Sequence, residues 1–137
     1  MRLKQINIVF GFTLFVGFLA TGYYLKEFFT PVHLDEHVMR MQIRASHIYI
    51  LLISLLNMVS FKCELKSNHK FSKYLEFWFR FLLILSGIFA VVAFFKEHTG
   101  DLNERSWTFY AIILSLFSVG LFLINEIIGF RHKKNNI

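Results

Sequence analysis

Apolar residues in this chain come in long runs and not in the narrow stripes of a soluble helix, with the runs falling at about 6–24, the inner part of 31–61, 74–95 and 107–130. A helix needs about 20 mostly apolar residues to cross roughly 30 Å of hydrocarbon, and each run meets that length. The polar stretches between them are short, so consecutive helices must be antiparallel neighbours. The expected fold is all-α: one integral membrane domain, residues 1–137, of four transmembrane helices in an up-and-down bundle.

The first run follows Arg2 and Lys4, a basic start that also suits a secretory signal peptide. It is longer than the usual apolar core of such a peptide and ends in Thr21, Gly22, Tyr23 and Tyr24, with no small-residue cleavage pattern, which favours a retained helix. Gly11 and Gly17 are expected to let a neighbouring helix approach closely. Thr30 followed by Pro31 reads as an N-cap with proline at the first helical position, and Asp35 and Glu36 suit the opening turns of a helix. A second helix over 31–61 would be roughly 45 Å long, about 15 Å more than the hydrocarbon layer, leaving its first turns outside. In the third run Ser86, Ala90 and Ala93 suit tight packing. Asp101 and Glu104 are placed to cap the fourth helix. The basic tail RHKKNNI is expected to fray.

The second helix carries the unusual chemistry. His33, His37, Arg40, Arg44 and His47 are spaced 4, 3, 4 and 3 residues apart, which puts them on one face of a continuous helix, with Ser54 extending the line inward. His33 and His37 at i and i+4 can turn both imidazoles to one metal, and His47 or His98 could complete the set. Haem b or a transition metal is the cofactor such a shell would hold. The competing reading is an amphipathic collar whose polar face meets water or headgroups, with Arg44 snorkelling outward. His47 would then be a polar contact between helices. At the opposite end, Glu76 and Arg80 stand at i and i+4 in the favourable order for an ion pair, near the depth of Asn57, Asn125 and Glu126. That cluster reads as a register-fixing network or, through Glu126, as a proton-coupled site.

Composition sharpens the picture. A chain of 137 residues that is 55% hydrophobic and 18% aromatic has more apolar surface than one soluble core of that size can bury. The net charge of +6 is informative through its distribution. With both termini cytoplasmic, the inner side holds Arg2, Lys4, Lys62, Lys66, Lys70, Lys73, Arg131, Lys133 and Lys134, and the outer side Lys26, Arg40, Arg44, Lys96 and Arg105. Tyr23, Tyr24, Tyr49, Trp107 and Tyr110 at one end and Tyr74 and Trp78 at the other suit interfacial belts. This is the pattern of a protein of the bacterial inner (plasma) membrane. No basic helix with interleaved stacking aromatics lies outside the apolar runs, which argues against nucleic acid. Cys63, the single cysteine, reads as a bystander thiol in a basic loop.

Walker, nucleophile-elbow, zinc-protease and dinucleotide motifs are all absent from the sequence, and no Gly or Pro pair interrupts corresponding helices of the two hairpins. The segment RASHIYILLISLLNMV, residues 44–59, resembles segments of small four-helix bacterial membrane proteins. Four short-looped helices with an outer histidine also resemble the plan of membrane b-type cytochromes, which would imply haem. Bis-histidine ligation of that kind wants two histidines inside the membrane, and this chain has His47 there while His98 lies in a loop. The leading functional expectation is a non-catalytic accessory or partner-binding subunit, in contact with the lipid bilayer and with a membrane protein partner or a second copy. A haem- or metal-binding redox protein and a small proton-linked transporter are its rivals.

Overall fold

The structure, a computed structural model, describes residues 3–33, 35–62, 70–97 and 105–135, with side chains described for 71–97 and 105–128 in the second half of the chain. His98, Cys63, Asp101 and Glu104 lie outside the described residues. The elements are α1 (Leu3–Tyr24), a π-helical turn (Leu25–Phe29), a short α2 (Thr30–Val32), α3 (His37–Ser60), α4 (Lys70–Lys96) and α5 (Ser106–Asn135). Four helical stretches, Leu3–Val32, His37–Ser60, Phe71–Lys96 and Ser106–Ile128, are long and apolar enough to cross a membrane.

Polar side-chain bonds between helices fix the topology. Asn7 near the start of α1 meets Asn57 near the end of α3, and Thr21 near the end of α1 meets His47 in the first half of α3. Ser72 meets Asn125, and Ser118 meets the Phe79 carbonyl, along α4 and α5. Between α3 and α4, Asn57 meets the Leu83 carbonyl and Arg80 the Ser60 carbonyl, so each successive pair of long helices is antiparallel. α1 packs on α3, α3 on α4 and α4 on α5, while α1 also reaches α4. The result is an all-helical four-helix bundle.

The packing is the reverse of a soluble bundle. On α1 the residues turned inward are Asn7, Gly11 and Leu14, while Ile6, Val9, Phe12, Val16 and Leu19 are exposed. The inner line of α5 runs Thr108, Ala111, Ser115, Ser118 and Asn125, all small or polar, against exposed Phe109, Ile113, Leu116, Phe117 and Ile124. Both lines advance by three or four residues, with one step of seven from Ser118 to Asn125, the spacing of one helix face. In a lipid environment apolar side chains lose nothing by facing outward, so small residues and hydrogen-bonding side chains take the helix interfaces. Ser86, Ala90 and Ala93 lie buried on α4 in the same way.

Three sequence expectations change. Pro31 does not open the second long helix; it sits in the short helix that ends the first unit. The helix from α1 widens into a π turn, with the Thr30 N–H reaching back five residues to the Leu25 carbonyl. Proline then removes the next donor, and the backbone leaves the helical region at His33 (φ −111°, ψ 43°). α3 starts only at His37, so it is roughly 36 Å long and not 45 Å. The bounds elsewhere shift too: α4 begins at Lys70, and α5 continues to Asn135 through most of the tail expected to fray.

The third change concerns the glycines. A β-carbon on Gly11 would stand 2.9 Å from the Asn57 Cβ and from the Ser54 carbonyl oxygen, so this glycine is what lets α1 lie on α3. Gly17 has nothing within 4 Å of that position and carries no close approach. Gly87 on α4 instead makes the second contact, its missing side chain leaving room for Phe10 and Leu14.

Gly11→Ala is expected to lower the unfolding free energy by about 1–3 kcal/mol, since part of the clash is with backbone. Gly17→Ala should be neutral or stabilising by up to about 1 kcal/mol from helix propensity. Detergent-solubilised protein titrated with a denaturing detergent reads both, and equal effects at the two sites would contradict the packing described.

Candidate functional site

Polar chemistry gathers at two levels of the bundle. At the Arg80 level, α4 buries Arg80 to 1% exposure, an expensive place for a guanidinium inside an apolar layer. Its Nε donates to Glu76 Oε1 at 2.9 Å, one turn earlier on the same helix, and its Nη1 donates to the Ser60 carbonyl of α3 at 2.9 Å. Ser60 is bound in turn, its hydroxyl donating to the Asn57 carbonyl. The Asn57 amide donates to the Ile53 carbonyl on its own helix and to Leu83 O across the interface, while its Oδ1 accepts from Asn7 Nδ2 at 2.9 Å. Asn7 Nδ2 also donates to the Arg80 carbonyl, and Asn7 Oδ1 is buried with no partner among the described residues. Three helices are thus tied through one polar knot, buried except at Glu76.

α5 attaches through separate bonds. Asn125 accepts from the Ser72 hydroxyl and donates to the Ser72 carbonyl, and Ser118 donates to the Phe79 carbonyl at 2.8 Å. Glu126 is half-buried on the same helix. Of the inner cluster expected from sequence, the structure brings Asn57, Glu76 and Arg80 into one network. Asn7 and Ser60, which the sequence reading passed over, complete it. The signal for Asn7 was its place one turn before Gly11 on the inward line of α1.

At the other level, the His47 end, the five-residue stripe does not form as a unit. His33 lies in the connector after α2, where its ring packs against Phe29 with centroids 4.5 Å apart and its Nδ1 is 3.2 Å from Glu36 Oε1. His37 Nδ1 accepts from Arg40 Nη2 at 2.8 Å. Arg44 is exposed and Arg40 half-buried. Ten residues of helix separate His37 from His47, about 15 Å, so the two do not share a ligand position. Among the described residues no three His, Cys, Asp or Glu side chains lie together as a metal shell.

His47 itself is held by α1. Its ring stacks on Phe18 with centroids 4.1 Å apart and an interplanar angle of 14°. Its Nδ1 lies 3.0 Å from Thr21 Oγ1. Thr21 Oγ1 is also 2.9 Å from the Gly17 carbonyl and 3.0 Å from that of Phe18, both acceptors only. The arrangement that makes two hydrogen bonds sends the hydroxyl proton to a carbonyl and lets Nδ1–H donate to Oγ1, whereas the alternative makes only one. His47 is therefore the Nδ1–H tautomer, with the Nε2 lone pair directed beside Gly22, whose missing Cβ would lie 3.5 Å away. Such a nitrogen is an acceptor or a ligand base.

Helix α5 is capped from α4. The Glu97 carboxylate, 3% exposed, accepts from the backbone N–H groups of Trp107 and Thr108 and from the Thr108 hydroxyl. A carboxylate at a helix N-terminus satisfies otherwise orphaned donors and suits the dipole. Lys96 lies over the Trp107 ring at 5.6 Å, and Arg105 makes long hydrogen bonds to Ser46 and Thr108.

Comparison with known protein families, with curated proteins and with solved structures finds no match.

Removing the counter-charge should hurt more than removing the buried charge. Glu76→Leu removes the carboxylate that Arg80 Nε bonds and is expected to lower stability by about 3 kcal/mol or more, whereas Arg80→Leu, which frees the one-third-exposed Glu76 to turn outward, should cost less. The same unfolding titration ranks them, and the reverse order would refute the role given to the pair. Glu97→Ala should cost about 1–2 kcal/mol through the lost cap, read as earlier exchange of the amides at the start of α5.

Proposed function

We propose that this chain is a non-catalytic accessory subunit of the bacterial inner membrane, with both termini cytoplasmic, which meets a membrane protein partner or a second copy of itself at its His47 end. The observation that carries this reading is how the buried polar side chains are used. Asn57, Ser60 and Arg80 are bonded to carbonyls and to one another between helices, so they act on the shape of the bundle and not on a substrate. The His47 end, in contrast, presents exposed Val38, Met41 and Arg44 along α3. The excess of Lys and Arg on the loops assigned to the cytoplasm supports the orientation.

A second reading rests on His47. With Nδ1 fixed by Thr21 and Nε2 left as a base, it suits an axial ligand of haem b or one ligand of a transition metal, as part of a redox protein whose other ligand comes from elsewhere.

One preparation separates the readings: protein made with haem and metals supplied, purified in mild detergent, and carrying a photo-crosslinking residue at Met41. The accessory reading expects one defined adduct that Arg44→Glu abolishes, with no Soret band and no stoichiometric metal. A Soret band or bound metal lost in His47→Ala would replace it with the redox reading. A pH-dependent flux lost in Glu126→Gln would make the chain a small proton-linked transporter.

A further inference from the structure

Where α1 and α4 diverge at the His47 end, they leave a half-open cavity of about 390 Å³ lined by Ala20, Thr21, Tyr24, Ile43, Phe94 and Phe95. We propose that this cavity is a binding site for an acidic phospholipid, one acyl chain lying in the cavity and the phosphate held by Arg40, Arg44 and Lys96. The proposal rests on these helices crossing a membrane, and is separate from whether the chain has a protein partner.

The walls select the chain. A β-carbon on Gly17 would meet nothing within 4 Å, whereas Leu14, one turn earlier, fills the space above Gly87. The two helices therefore touch at Gly87 and open beyond it. Four of the six lining residues are apolar outright, and the Thr21 hydroxyl is already bonded to carbonyls and to His47. An occupant thus meets mostly hydrocarbon and aromatic surface. The volume is within the range of small-molecule sites, roughly 300–1,000 Å³. At membrane depth the molecule that meets such a space is a lipid chain.

The rim selects the head. Arg40 precedes Ile43 by one turn of α3, Arg44 directly follows Ile43, and Lys96 directly follows Phe95, so all three cations start within a turn of the lining residues. Their long side chains place the charge toward the interface while the stems cover apolar surface. Among the described residues none of the three is within ion-pair distance of a carboxylate: Glu27 pairs with Lys26, Glu36 with His33, and Glu97 is enclosed at the start of α5. Arg40 Nε is buried with no partner among the described residues, a donor left over after Nη2 binds His37. A phosphodiester supplies the missing acceptor and negative charge together.

Native mass spectrometry on the delipidated full chain, titrated with phosphatidylglycerol or with phosphatidylcholine of the same acyl chains, tests this. Wild-type protein should bind one phosphatidylglycerol about tenfold more tightly than phosphatidylcholine. Arg40→Gln with Lys96→Gln should bring the two lipids to equal affinity, while Ala20→Phe, which fills the cavity, should abolish the tight one-to-one species for both. Leu116→Phe, on the exposed face of α5, serves as the control and should bind as wild type. If Ala20→Phe fails to fold, Ala20→Leu is read in its place, with a weaker loss expected. Equal binding of the two lipids by wild type, or undiminished binding in the filled cavity, would overturn the proposal whatever the partner experiment shows.

Discussion

A guanidinium inside an apolar layer must be given a counter-charge and acceptors, and the three-helix part of this structure follows from that requirement. Arg80 takes its counter-charge from its own helix and an acceptor from α3, while its backbone carbonyl receives Asn7 from α1. Each of these bonds fixes a register as well as an energy. If α3 slid by one residue against α4, the Ser60 carbonyl would rotate away and leave a buried donor unmatched. Apolar packing alone discriminates weakly among registers in lipid, where Leu on a neighbour and Leu on a lipid tail are nearly equivalent. The polar knot supplies the discrimination.

The rest of the bundle repeats the idea with smaller means. Serines and asparagine face inward on α4 and α5 and bond across that interface, while Gly11 lets α1 lie on α3 and Gly87 makes room for Phe10 and Leu14 of α1 against α4. At the far end small residues stay buried on α4 and α5, at Ala90, Ala93, Thr108 and Ala111, but the close approach of α1 to α4 ends. Gly17 meets nothing, α1 widens into the π turn, and the helices separate around the cavity beside Thr21 and Tyr24. The tight end and the open end thus arise from one cause, the distribution of small and polar residues along the inner lines.

The four spans were legible because an unbroken apolar run is a strong signal that survives ignorance of every contact. The ion pair of Glu76 and Arg80 was legible because its geometry is local to one helix. What the sequence concealed depended on partners far along the chain or on a backbone irregularity. Thr30 with Pro31 has the form of a helix start, and nothing in side-chain pattern distinguishes it from the end of a helix widened by one residue. That error also made His33 part of a stripe it does not join. The role of Glu97 is not local either, since its partners Trp107 and Thr108 come ten and eleven residues later. Asn7 is a single polar residue in an apolar run whose partners lie on α3 and α4, although its spacing to Gly11 marks the inward line.

The position of the Arg80 partners in the chain bears on how the protein is made. A helix carrying an arginine near its middle is poorly held by lipid alone. Asn7, Asn57 and the Ser60 carbonyl all belong to α1 and α3, which leave the ribosome before α4. The Ser60 carbonyl that receives Arg80 Nη1 and the Asn7 amide that donates to the Arg80 carbonyl thus precede α4 along the chain, whereas the Glu76 carboxylate arrives on the same helix as Arg80.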